Sequence, residues 1–161
     1  MRSRMIIGTL VVAASASGCG NAIDTDIVGR TALARDADGS VLVLVDACRG
    51  SVDSIGIYAG RQGLADNEVN PTLGELRASS PQSGRIEVPL TAPADPWAAD
   101  AAVVLSEDPD SLFIVIASRE GENAQAAQVS ATQNEVDALL PGHVLTASSQ
   151  VVSEAEFHDA C

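Results

Sequence analysis

Three cysteines, two histidines and no lysine limit what this chain can do with its side chains. Without lysine, Schiff-base chemistry, the phosphate-binding P-loop and the Ser-x-x-Lys nucleophile pair are excluded. The chain also lacks Gly-x-Ser-x-Gly, His-Glu-x-x-His, Gly-x-Gly-x-x-Gly and Cys-x-x-Cys patterns. Cys48 and His158 would form a nucleophile pair if a C-terminal helix lay against the strand bearing Cys48. The same approach brings Cys161 to Cys48, and small exported domains favour bridges, so a Cys48–Cys161 disulfide is expected in place of a catalytic thiol. Glu156, His158 and Asp159 form a candidate metal set. Two of the three would have to share one side of a helical turn, and acidic residues near a C-terminus usually form a solvated face, so no metal and no cofactor is expected. Asp36-Ala37-Asp38-Gly39 fails as a calcium loop on spacing, because the first ligand falls on Ala34 and the twelfth-position glutamate on Val45. No catalytic residue, and therefore no enzyme, is expected.

The N-terminus points to export. Arg2 and Arg4 precede an apolar run from Met5 to Ala16, followed by small residues, which is the layout of a secretory signal. The run is too short for a bilayer span, which needs about 20 apolar residues. Ala16-Ser17-Gly18-Cys19 resembles the lipobox of bacterial lipoproteins, with Ala16 where that family more commonly has leucine. The resemblance covers only the first twenty residues or so. It implies cleavage after Gly18 and lipidation of Cys19 through a thioether-linked diacylglycerol. Two acyl chains suffice for stable anchoring where one is marginal. The expected layout is a signal peptide at 1–18, a tether at 19–26 and a single domain at 27–161, held at the extracytoplasmic face of the cell membrane.

Seven arginines face 22 carboxylates after residue 18, a formal net charge of −15. Such a surface repels nucleic acid and anionic headgroups, so neither is an expected partner. The lysine-free, alanine-, valine- and aspartate-rich composition fits a GC-rich genome. With the lipobox and the two late cysteines, the chain resembles small envelope lipoproteins of actinobacteria, a likeness that carries over no functional residues.

Val41 to Cys48, VLVLVDAC, is the stretch that must position the chemistry: a nearly unbroken apolar run bounded by Asp38-Gly39 and Arg49-Gly50, short for a helix and right for a buried strand. Ile27–Arg35 precedes it as a strand, joined by a hairpin at 36–39. Arg49-Gly50-Ser51 predicts a turn into an alternating strand over 52–59. An edge strand near Glu75 to Ala78 follows, and then an alternating strand from Gly84 to Thr91, which Pro89 places at a sheet edge or near its end. Asp95-Pro96 predicts a helical turn giving way to a strand from about Ala102. Leu112 to Ser118 is a second central strand, and Ala126 to Ala131 a further one. Thr132-x-x-Glu135 and Ser153-x-x-Glu156 are capping boxes, the second opening a final helix through Cys161, with a short strand at 143–146 between them. On that helix Phe157 and Cys161 share a face.

Seven or eight short strands with two short helical pieces predict an all-β immunoglobulin-like sandwich with a short C-terminal helix. The alternative is α+β, with 98–105 and 124–140 helical. Four aromatic residues in the chain argue against a sugar-stacking platform. The proline-stiffened loop 92–100 carries Trp97; the ring either folds over the sandwich edge, the commoner fate of tryptophan, or contacts a partner with Asp95 and Asp100 setting charge preference. The expected function is that of a noncatalytic envelope module binding an unidentified protein partner, with a carrier of a lipid or other apolar ligand as the rival. A cavity of several hundred Å³ lined by Ile, Val and Leu would favour the carrier.

Overall fold

The computed structural model describes residues 25–161, so the signal segment, the lipobox and Cys19 lie outside the described residues. Nine strands and two short helices follow in the order β1 (Asp26–Arg35), β2 (Val41–Ala59), β3 (Thr72–Pro89), β4 (Trp97–Ala101), β5 (Leu112–Ser118), β6 (Ala124–Ala127), β7 (Val129–Thr132), α1 (Gln133–Asp137), β8 (His143–Thr146), β9 (Val151–Ser153) and α2 (Glu154–Asp159). With 54% strand and 8% helix the fold is all-β and sandwich-like, ending in a short helix as expected. The regions that the α+β alternative assigned to helix form β4, β6 and β7, and only five residues there are α1.

β2 organises the sheet. Its first half pairs with β1, Arg30↔Asp46 through Arg35↔Val41, and its second half with β5, Ser54↔Ser118 through Ala59↔Phe113. β3 runs antiparallel to both halves, and β6 joins β5 to β1 by a parallel pairing. These pairings close β1, β2, β5 and β6 on themselves around the main core, with β3 and β4 extending one edge and β8 and β9 the other.

The turn expected at Arg49-Gly50-Ser51 is instead a bend within one strand. Gly50 sits at φ +98°, and the register with β3 shifts between Ala47 and Val52. The φ is one that glycine adopts without Cβ strain, so the chain can change partners without leaving the sheet. β3 does the same around Pro81: a second shift lies between Val52↔Gln82 and Ser54↔Arg77. A proline that cannot donate to the ladder is tolerated at such an irregularity.

Both faces of Val41–Cys48 are covered. Val43 and Val45 enter the main core with Leu33, Ile55, Ile57 and Val115, while Leu44 joins Ala32, Ala34, Val144 and Phe157 in a second cluster on the outer face. That double burial explains the missing polar alternation in VLVLV. α2 is the lid on the outer face. Both capping boxes form: the Thr132 and Ser153 side chains each accept from the backbone N–H of the glutamate three residues on, and that glutamate accepts from the cap's own N–H. α2 stops at Asp159, short of the predicted end at Cys161.

Candidate functional site

Asp46, the one charged residue in the central run, lies on the outer face of β2 under α2 and is almost fully buried. His158 comes down on it from α2, Nδ1 to Oδ1 at 2.8 Å. A carboxylate only accepts, so Nδ1 carries the ring proton and Nε2 faces away from Asp46. Arg30, opposite Asp46 on β1, reaches Oδ2 at 3.4 Å, donates to the Phe157 carbonyl, and stacks its guanidinium 4.8 Å from the Phe157 ring centre. Gly29 makes room for the cluster, because a Cβ there would stand 2.0 Å from the Asp46 carbonyl oxygen.

The predicted site residues sort out as follows. Cys48 and Cys161 are joined, with Cα atoms 5.3 Å apart at a sequence separation of 113. The bridge consumes the thiol that a Cys48–His158 nucleophile pair would need. Glu156 and Asp159 do not join His158: both are exposed, and Glu156 is committed to capping Ser153. Those hydrogen bonds, the backbone N–H of Ser153 first and its hydroxyl second, hold the Glu156 carboxyl below its ordinary pKa of 4.5.

The partner-contact reading of Trp97 is corrected. Its ring is 5% exposed and packs in the main core, because the residue opens β4 opposite Ala78 instead of capping a loop. No helical turn follows Asp95-Pro96, and residues 102–106 form no strand. Asp95 is exposed, and Asp100 is drawn to Arg77 at 3.4 Å.

A different surface shows features of recognition. On the outer face of the second half of β2, Tyr58 pairs with Ile114, and Gly56 with Ile116. A Cβ at Gly56 would lie 2.5 Å from the Tyr58 hydroxyl oxygen, so the ring lies down across that glycine. Tyr58, Ile114 and Ile116 are half-buried, and Val69 beside them is 86% exposed. Together with Asn70 and Gln128 they line a shallow depression of about 380 Å³. Tyr58 also borders a polar depression of about 340 Å³ containing Glu75, Arg77, Arg119 and Glu120. There Arg77 meets Glu75 at 2.7 Å, Asp100 and Glu120. Desolvation works against its charge, but the attraction of Glu120, Glu75 and Asp100 prevails and raises its pKa above the ordinary arginine value.

Sequence reading missed this face because Ile114 and Ile116 sit in a run, LFIVIAS, that reads as buried throughout. The available signal was Gly56 two residues before the chain's only tyrosine, which places a small residue under a ring on one strand face. A third depression, an open cleft of about 420 Å³, is lined by Leu73, Val104, Leu105, Leu112 and Phe113 with polar neighbours at Ser106 and Gln133. No family model, curated protein or solved structure matches the chain.

Proposed function

We propose that the chain is a noncatalytic cell-envelope module, anchored through a lipid on Cys19, that binds a protein partner through the face centred on Tyr58. The observation that carries the binding half is the ring laid flat over Gly56 between Ile114, Ile116 and the exposed Val69. Tyrosine offers large, rigid contact area with a polar tip, and apolar surface rimmed by charge is the ordinary anatomy of an interface. The frame beneath is closely packed: Ile55, Ile57 and Val115 behind the face are fully buried. The anchoring half rests on the lipobox-like segment ending at Cys19.

Photocrosslinking in intact cells tests both halves, with the reactive group at position 114. The expected result is a discrete protein adduct on membrane-associated material, lost in Gly56→Ala, where the new methyl lifts the Tyr58 ring while the fold keeps its melting temperature. Cys19→Ser should release the protein from the membrane or leave it unprocessed. Adducts unchanged by Gly56→Ala would overturn the binding face, and a soluble, processed wild type would overturn the anchor.

The second reading, a carrier of an apolar ligand, is favoured by the cleft lined by Leu73, Val104, Leu105, Leu112 and Phe113, whose volume of about 420 Å³ falls in the range of ligand sites. Its signature is co-purified lipid, displaced in Leu105→Gln.

A further inference from the structure

The sheet register sets charged residues in rows under α2. Arg30, Asp46 and Arg85 lie side by side on β1, β2 and β3, and the next row on the same face is Ala32, Leu44 and Glu87. Glu154 and His158 stand one turn apart on α2, on the helix face that packs toward these rows. Glu87, Glu154 and His158, from positions as far as 71 residues apart, therefore converge: one ligand atom from each lies within 4.8 Å of the others.

Three features distinguish this from a solvated acidic face. The histidine is oriented: its side chain is 94% buried, Nδ1 is held by Asp46, and the remaining nitrogen, Nε2, faces Glu154 Oε1 at 3.7 Å. That carboxylate–histidine arrangement is how proteins fix the tautomer and aim of a metal-binding imidazole. Next, Glu154 can only accept, and at 3.7 Å it is too far for a hydrogen bond; the one hydrogen bond of the ring among the described residues is at Nδ1, which leaves Nε2 for a ligand from outside. Lastly, the Glu87 side chain makes no hydrogen bond or ion pair among the described residues, although it converges on a second carboxylate. Two like charges facing one nitrogen lone pair are a donor set for a cation.

We propose that Glu87, Glu154 and His158 bind a divalent transition-metal ion of the zinc class, His158 through Nε2, with Asp46 as the positioning residue. One imidazole and two carboxylates suit zinc, and three protein ligands leave a fourth position for water or a ligand from outside. Metal–ligand bonds of about 2.0–2.2 Å require the ligand atoms, now within 4.8 Å of one another, to close to roughly 3.4 Å, a contraction of at most about 1.4 Å that the long side chain of exposed Glu87 supplies. Arg30 stays with Asp46 and Phe157 and leaves the three ligands free of a cation from that side.

The test is titration of untagged, disulfide-intact protein with Zn²⁺ by calorimetry, and with Co²⁺ followed by its visible d–d absorption. One saturable equivalent is expected, with Glu87→Gln and Glu154→Gln each weakening it at least tenfold and His143→Gln, which alters the other histidine, binding as wild type. Glu87 is exposed and takes no part in the Asp46 cluster, so Glu87→Gln should keep the metal-free melting temperature while losing the rise that Zn²⁺ gives the wild type. Absence of saturable binding at millimolar Zn²⁺, or equal binding by wild type and Glu87→Gln, overturns the site and leaves His158 as an ion-pair clamp.

Discussion

Trp97 shows how far a single residue's surroundings can diverge from its sequence context. Two prolines and four alanines in 92–100 suggest an exposed loop, yet Trp97 is 5% exposed and belongs to the main core. Truncating a buried tryptophan costs about 3–5 kcal/mol, so Trp97→Ala should lower the urea midpoint substantially. A midpoint close to wild type would mean the ring contributes no packing. The residue was legible as an oddity and illegible as core, because its burial depends on pairing with Ala78, a partner no local pattern announces. Asp46 is the converse. It is plain in the sequence as the polar break in VLVLVDAC, but its meaning requires Arg30 from 16 residues away and His158 from 112.

Elements fixed by local chemistry are the ones the sequence reveals. Leu112–Ser118, His143–Thr146 and both capping boxes stand where the apolar run, the turn signals and Ser/Thr-x-x-Glu place them. The misread elements are those whose shape is decided by long-range pairing. β2 bends at Gly50 because β1 and β5 take its two halves, and a bend with glycine at positive φ looks like a turn in one dimension. The capping box of α2 has a pH signature. The Glu156 carboxyl is held below 4.5 in the folded chain by hydrogen bonds from Ser153, so unfolding raises its proton affinity. Its contribution is then fully present above the unfolded pKa and fades as pH falls through the folded one. Glu156→Gln, which keeps the box geometry, should flatten the stability loss between pH 5 and pH 3 seen by denaturant titration, and an unchanged acid limb would count against the box.

At the scale of the whole molecule, the Cys48–Cys161 bridge ties the centre of the sheet to residue 161 across 113 residues. For a loop of that order the chain-entropy model gives about 4–5 kcal/mol. Reduction, or Cys161→Ser, should move the denaturation midpoint accordingly, and hydrogen exchange should show α2 opening before the main core. Equal stability of reduced and oxidised protein would show that α2 is held by Asp46, Arg30 and Phe157 alone. β1 has a separate consequence. It pairs with β2, with β8 and, in parallel, with β6, and it is the first strand of the described chain. A pull arriving through the residues before it and directed along its axis meets ladder bonds on several sides at right angles to the load. Those bonds must fail together in shear and not one after another as in a zipper, so β1 resists extraction from the sheet along its own axis more than any strand held on one side.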